Sequence, residues 1–139
     1  ELEKLWPRFE DGAEVVIGSR SLPDSEIAVR QTWYRETMGR TFNLLLRLLG
    51  LTGFVDTQCG FKGFTAQACA VVFPRQTVHR FGFDPEVLYI AQKHGLRIDE
   101  VPVRWINSPH SRVNPLVDSA RMLRDMLLIR IKDLLGRYD

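Results

Sequence analysis

A long helix whose second half is almost wholly apolar is the feature that most constrains how this chain can fold. The helix is predicted from about Ala28 to Leu49, and Gly50 follows where a C-terminal cap belongs. A helix that is apolar on nearly every side has to be covered. We therefore expect a partner layer, which the rest of a chain, another subunit or a membrane could supply. The apolar residues of this half are Phe42, Leu44, Leu45, Leu46, Leu48 and Leu49.

The remaining segments alternate between strand and helix patterns. Residues 13–18 form a short β-branched run that predicts a buried strand, and residues 98–106 alternate like a strand, at an edge because Pro102 lacks an amide donor. Helices are predicted at residues 1–9, 66–72, 84–94 and 115–136. This order predicts an α/β fold with few strands and long flanking helices. The last helix carries one apolar stripe, formed by Leu116, Ala120, Leu123, Leu127, Ile131 and Leu134.

Composition narrows the class of protein. The chain has 139 residues, 45% of them hydrophobic and 26% charged, as expected for one globular domain with one core. The net charge of +2 argues against a nucleic-acid partner. Cys59 and Cys69 have no metal-binding spacing, so we expect two reduced thiols. The sequence contains no apolar run of the roughly 18 residues that a membrane span needs.

The loop from Asp56 to Phe64 concentrates polar chemistry. Asp56 could act as a base, orient a sugar hydroxyl or support a metal, Lys62 could meet a phosphate, and Gln58 lies between them. Gly60 and Gly63 would allow a ligand to approach the backbone closely. The alternative is a solvated loop in which Asp56 only caps a turn.

Three arginines form a second candidate cluster. Arg20 follows the first strand, and Arg30 and Arg35 lie near the start of the long helix. Guanidinium groups match phosphate oxygens with paired hydrogen bonds, so convergent arginines suit a phosphate ligand. The alternative is that these arginines face water.

Two further pairs are weaker candidates. Asp84 is a plausible N-cap and Glu86 complements the same helix start, whereas Ser111 and Arg112 follow the edge strand and could contact a phosphate. The three histidines lack metal-ligand spacing, and no D-x-D pair is present. Arginines and lysines on the last helix suit an anionic membrane surface or, equally, a helix packed on its own domain.

Taken in order, these motifs resemble the C-terminal part of a family 2, GT-A-type glycosyltransferase of the dolichyl-phosphate β-glucosyltransferase group. The resemblance covers nearly the whole chain, 1–139, and rests on four stretches. They are Gly18-Ser19-Arg20, Asp56-Thr57-Gln58-Cys59-Gly60-Phe61-Lys62, Phe83-Asp84 with Glu86-Val87-Leu88-Tyr89-Ile90-Ala91-Gln92, and Asp125-Met126-Leu127-Leu128-Ile129-Arg130.

The resemblance implies inverting transfer of glucose from UDP-glucose to a dolichyl or other polyprenyl phosphate. It implies that Arg20 and Arg35, with Arg30 nearby, hold the acceptor phosphate and that Asp56 lines the sugar pocket. Ser111-Arg112 would match a Ser-Lys or Ser-Arg pair in a mobile loop over the donor. Gln58, Lys62, Asp84 and Glu86 would make donor, sugar or loop contacts.

The resemblance also implies what lies outside this chain. The nucleotide-binding part and the D-x-D that binds Mg²⁺ or Mn²⁺ would precede Glu1, so we expect no metal site here and no activity from the chain alone. The whole protein would work on the cytoplasmic face of a membrane, and self-association is a further possibility. Alternatives are a polyprenyl-phosphate mannosyltransferase, another family 2 transferase, or a non-catalytic module for membrane binding or self-association.

Overall fold

A computed structural model describes residues 1–27, 41–42, 44, 46–47, 50, 53–106 and 115–139. The described part is an α/β structure, as predicted. Its helices are α1 (Leu2–Glu10), α2 (Ala66–Val72), α3 (Phe83–Lys93) and α4 (Pro115–Leu134), with a 3₁₀ turn at Arg80–Gly82. Its strands are β1 (Val15–Ser19), β2 (Glu26–Ile27), β3 (Lys62–Phe64), β4 (Ile98–Pro102) and β5 (Arg104–Trp105).

The main sheet is mixed and has the order β3-β1-β4. Strand β1 runs parallel to β4, with Ser19 opposite Pro102, and antiparallel to β3, with Ile17 opposite Lys62. The single strand predicted over residues 98–106 is wrong in one respect, because it divides at Val103 and β5 pairs with β2 in a separate two-stranded sheet. Within the described residues β4 is an edge strand, as Pro102 indicated.

Strand β1 is buried on both faces, which explains its continuous apolar sequence. Val15 and Ile17 point into the larger core, which also contains residues of α3 and α4. Val16 points to the other face, where it meets Leu5 of α1 and forms a smaller core. The strand therefore holds a fixed position at the centre of the described fold.

Helices α2 and α3 differ in how they begin. Thr65 caps α2, since its hydroxyl accepts a hydrogen bond from the Ala68 amide at 3.1 Å. The predicted N-cap at Asp84 is wrong: α3 begins at Phe83 directly after the 3₁₀ turn, and Asp84 lies inside the first turn. Its carboxylate pairs with Lys62 instead.

Helix α4 turns the predicted apolar stripe outward. Leu123, Leu127, Ile131 and Leu134 are between 42% and 78% exposed, whereas Met126 and Ile129 are completely buried. The exposed side and the buried side are both apolar, so the sequence alone does not show which of them packs against the core. No described helix is long and apolar enough to cross a bilayer.

Only part of the long helix expected over residues 28–49 lies within the described residues. Residues 41–42, 44 and 46–47 are helical, and Gly50 has a φ of +66°, as expected for a cap. Phe42 and Leu46 are buried in the larger core, and Leu44 is 57% exposed. Cys59 and Cys69 are both free thiols, as predicted.

Candidate active site

The candidate site lies at the carboxyl end of β1. Arg20 follows the last residue of this strand, and the loop of residues 53–61 leads into the antiparallel β3. The loop therefore reaches the same edge of the sheet as Arg20. In open α/β sheets this edge is where ligands usually bind.

Gly18 brings the loop against the strand. Its amide donates a hydrogen bond to the Phe61 carbonyl at 2.7 Å. A Cβ at position 18 would lie 2.7 Å from Val103 Cγ1 and 3.0 Å from the Phe61 ring. The glycine of the Gly18-Ser19-Arg20 motif is thus required for space, not for an unusual backbone angle.

The centre of the site is an ion pair between Arg20 and Asp56. Arg20 Nε donates to Asp56 Oδ2 at 2.7 Å, and Nη2 donates to Oδ1 at 2.9 Å. The Arg20 amide also donates to Oδ2, at 3.0 Å, and the Gln58 amide donates to Oδ1 at 3.2 Å. The Asp56 carboxylate thus accepts four hydrogen bonds. The two from backbone amides fix the carboxylate, and the two from the guanidinium hold Arg20 in one orientation.

The ion pair keeps both groups charged. Burial alone would raise the pKa of Asp56, but the hydrogen bonds and positive charge of Arg20 outweigh it and lower that pKa below its usual value. The hydrogen bonds from Arg20 to Asp56 raise the pKa of Arg20. Asp56 is therefore an ionised, fully engaged carboxylate, suited to positioning Arg20 and poorly suited to taking up a proton.

Two neighbouring residues that the sequence did not single out support the pair. One oxygen of Glu100 on β4 accepts hydrogen bonds from the amides of Val55 and Asp56, at 3.0 and 3.2 Å. The Trp105 ring lies 5.4 Å from the Arg20 guanidinium carbon, which is a cation–π distance. The pairing of β1 with β4 brings Glu100 to the site, whereas Trp105 lies on β5, which pairs with β2. The sequence specifies neither pairing.

A second ion pair extends the cluster along the loop. Lys62 Nζ lies 2.6 Å from Asp84 Oδ1 and donates to the Cys59 carbonyl at 2.5 Å. The Lys62 side chain is only 5% exposed. Lys62 and Asp84 therefore join the loop to the first turn of α3 and have little free capacity for a ligand.

Gln58 and Glu86 have different surroundings. Gln58 Nε2 lies 3.9 Å from the Met122 sulfur, so it connects the loop to α4. Glu86 is fully buried, away from the Arg20–Asp56 pair, and its carboxylate accepts hydrogen bonds from the Thr77 and Val78 amides. The hydroxyls of Thr77 and Tyr138 donate to it as well, both at 2.6 Å. The expectation that Glu86 contacts a ligand does not fit this geometry, because every hydrogen bond that it makes is internal to the core.

Ser19 adds an unsatisfied group beside Arg20. Its hydroxyl is buried and is the one side-chain polar atom without a hydrogen-bond partner among the buried atoms of the described residues. Arg30, Arg35, Ser111 and Arg112 lie outside the described residues. Of the predicted site residues, the structure thus brings together Arg20, Asp56, Gln58, Lys62 and Asp84.

The described residues do not fit a divalent metal. No group of three histidine, cysteine or acidic side chains gathers in the described part. Asp56 and Asp84 each bind a basic side chain instead, and Glu100 accepts hydrogen bonds from two backbone amides. A metal used by the whole protein would need ligands from elsewhere.

Comparison with curated proteins makes the chain a homologue of family 2 glycosyltransferases, which confirms the resemblance given by the motifs. The relatives are, more specifically, dolichyl-phosphate beta-glucosyltransferases. That of Dictyostelium discoideum is 38% identical over 123 residues, which are 88% of this chain and 38% of the relative. That of Homo sapiens is 34% identical over 133 residues, 96% of this chain and 40% of the relative. That of Saccharomyces cerevisiae is 33% identical over 125 residues, 89% of this chain and 37% of the relative.

The matches thus cover most of this chain but only about two fifths of the relatives' length. No protein-family profile matches the chain, and no solved structure matches it. The α/β architecture is consistent with part of a GT-A-type domain.

Proposed function

We propose that this chain forms the acceptor side of an enzyme that transfers glucose from UDP-glucose to a dolichyl or related polyprenyl phosphate, with inversion at the anomeric carbon. The names of its relatives support the reaction. The observation that carries the proposal is the orientation of Arg20. Asp56 binds Nε and Nη2 of the guanidinium and leaves Nη1 with no hydrogen bond among the described residues.

Arg20 suits an anionic acceptor. Its side chain is 26% exposed, so it can reach a ligand, while the carboxylate behind it keeps it rigid. A guanidinium held in this way can bind a phosphate oxygen through Nη1 without losing further side-chain entropy.

The protonation state of Asp56 suits the same chemistry. A phosphate monoester already carries negative charge near neutral pH, so it can attack the anomeric carbon without a strong base. Asp56 has a lowered pKa and four hydrogen bonds, and we assign it the role of positioning Arg20. Transfer then depends on alignment of the acceptor and stabilisation of the leaving UDP.

We assign the remaining roles as follows. Arg30 and Arg35 would complete the phosphate site, and Ser111 with Arg112 would contact the donor. Gln58 would orient the sugar from the loop, and Lys62 and Asp84 would fix that loop to α3. The nucleotide pocket and any Mg²⁺ or Mn²⁺ ligands would belong to another part of the whole protein, so we assign no step to a metal here.

The exposed apolar side of α4 supports a position at a membrane surface. Leu127, Ile131 and Leu134 are exposed on a helix that also carries basic residues, a pattern typical of helices that lie in the bilayer interface. We therefore place the enzyme on the cytoplasmic face of a membrane, where it would meet a lipid-linked acceptor. Self-association through an apolar surface remains an alternative use of the same side.

The test is a transfer assay with the whole protein that contains this sequence, UDP-glucose and dolichyl phosphate. We expect Arg20→Gln to lower kcat/KM by roughly 100-fold, since it removes a charge-assisted contact to the reacting phosphate. Arg8→Gln on α1 makes the same change of charge at an exposed site and should leave kcat/KM unchanged. Transfer by the wild-type protein that is indifferent to Arg20→Gln would contradict the proposal.

The choice of donor separates the alternatives. The relatives do not favour the mannosyl reading, so we expect UDP-glucose to be used and GDP-mannose to be ignored. Efficient transfer from GDP-mannose would overturn the glucosyl assignment, and no transfer from any nucleotide sugar would favour a non-catalytic module.

A further inference from the structure

A cavity of about 440 Å³ lies between residues 77–80 and helix α4. Its volume is in the range of small-molecule sites. It shares no lining residue with the Arg20–Asp56 pair. Basic side chains dominate its wall: Arg80, Arg121, Arg124 and Lys132, against the single carboxylate of Asp125.

The helical repeat gathers these cations on one side of α4. Arg121 and Lys132 lie eleven residues apart, about three turns, so they lie above one another along the helix on the side that also carries Asp125. The exposed Leu127 and Ile131 lie on a neighbouring side. A cationic cavity and an exposed apolar surface therefore border each other on a single helix.

Part of this positive charge is uncompensated. Asp125 binds Arg124, with 3.1 Å between Nη2 and Oδ1. Lys132 Nζ donates to the Thr77 hydroxyl at 2.6 Å and makes no ion pair with any described residue. Glu86, which also binds Thr77, is buried and accepts four hydrogen bonds. The Arg80 side chain is exposed and forms no hydrogen bond or ion pair within the described residues. The cavity thus has capacity for an anion.

The backbone at the cavity is strained and closely packed. Arg80 has a φ of +61° and is the one described residue other than glycine in the left-handed region. Such strain is often kept at functional sites because a side chain is needed in that place. Two residues later, a Cβ at Gly82 would lie 2.8 Å from the Asp125 Cβ, so the turn rests directly on α4. The backbone that carries Arg80 at the cavity is therefore held against α4.

We propose that this cavity binds the phosphate group of an anionic phospholipid, while the adjacent apolar side of α4 lies in the bilayer interface. Forked guanidinium donors suit phosphate oxygens, and the bordering leucines suit acyl chains. The same cations could also take free phosphate, so the test separates the two sources. The proposal goes beyond glucosyl transfer and does not depend on it.

The test measures binding of the purified whole protein to phosphatidylcholine vesicles with and without phosphatidylglycerol, and separately its titration with inorganic phosphate by calorimetry. We expect binding that requires phosphatidylglycerol. Each of Arg80→Gly and Lys132→Gln should weaken it roughly fivefold, as expected for one cation near an anionic surface. If inorganic phosphate binds saturably and both variants weaken this binding, the cavity is a phosphate site that also accepts free phosphate.

Two controls keep the result decisive. Arg137→Gln removes an exposed cation outside the cavity and should weaken vesicle binding less than about twofold. Arg80→Gly relieves the left-handed strain, so its melting temperature should not fall below that of the wild type. Equal losses for Arg137→Gln and the cavity variants would indicate diffuse surface charge and overturn the site. Failure to bind both probes would also overturn it.

Discussion

At the scale of single residues, the Arg20–Asp56 pair shows how a carboxylate can serve a site without exchanging protons. Asp56 is buried and receives two hydrogen bonds from the Arg20 guanidinium and two from backbone amides. A charge taken out of water this far is stable only while its partners are in place. Folding and ligand positioning therefore depend on the same contact.

Replacing Asp56 by Asn should destabilise the protein by about 2 kcal/mol, because the half-buried Arg20 charge loses its partner. Asp99→Asn is the matched control, since Asp99 pairs with an Arg97 side chain that is 53% exposed. That surface pair should contribute less than about 1 kcal/mol. Urea unfolding measures both, and equal losses for the two variants would contradict the special role of Asp56.

The same pair predicts a dependence of stability on pH. The pKa of Asp56 is lower in the folded chain than its unfolded value of 3.8, so its contribution is complete above that value. The contribution is lost as the pH falls further, through the folded-state pKa. The difference in unfolding free energy between wild type and Asp56→Asn should therefore shrink in acid. A difference that stays constant from neutral to strongly acidic pH would refute this assignment.

At the scale of elements, α4 has three distinct sides. One packs into the core through Met126 and Ile129, one is exposed and apolar, and one lines the cationic cavity. The sequence predicted the helix, but the apolar stripe that it identified, which includes Leu123 and Leu127, is exposed in the structure. Hydrophobic spacing identifies every apolar side of a helix equally, and the buried side is selected by neighbours that include α3, the 3₁₀ turn and Tyr138.

Adjacent substitutions on α4 test this assignment. Met126→Ala should cost about 2–4 kcal/mol, since it opens a cavity in the core. Leu127→Ala, one residue further along, should cost less than about 1 kcal/mol because Leu127 is 48% exposed. Thermal unfolding of the two variants gives the comparison. A larger cost for Leu127→Ala would mean that α4 is rotated relative to this structure.

At the scale of the whole molecule, a buried polar network joins segments that are far apart in sequence. Glu86 on α3 accepts hydrogen bonds from Thr77 and Val78, which precede that helix, and from Tyr138, which follows α4. Burial, together with the hydrogen bond to Glu86, raises the pKa of Tyr138, so its hydroxyl stays a donor. The network thereby ties the segment after α4 to the centre of the fold.

Tyr138→Phe should lower the free energy of unfolding by about 2 kcal/mol, because a buried carboxylate loses a hydrogen bond. The control is the same substitution made together with Glu86→Gln. The double variant should show less than the sum of the two single losses, since both remove the same contact. Strictly additive losses would show that the two groups do not interact.

The sequence predicted the elements better than their arrangement. The positions of β1, α2 and α3 follow from local patterns, although the predicted N-cap of α3 is wrong, and the motifs identified Arg20 and Asp56 as candidates. The roles of Glu100 and Trp105 depend on two parallel pairings, β1 with β4 and β2 with β5, each of which joins residues about 80 positions apart. The buried setting of Glu86 was not predictable for a similar reason, because its hydrogen-bond partners come from two distant segments, residues 77–78 and Tyr138.

The space around Gly18 limits which residues the site can accept at this position. One methyl group there would meet Val103 on one side and Phe61 on the other, and both would have to retreat. Arg20 follows the strand that contains Gly18, and Asp56 belongs to the loop that ends at Phe61, so a shift of Phe61 would move the carboxylate relative to the guanidinium. A relative that tolerates alanine at this point would need a shorter side chain across from it.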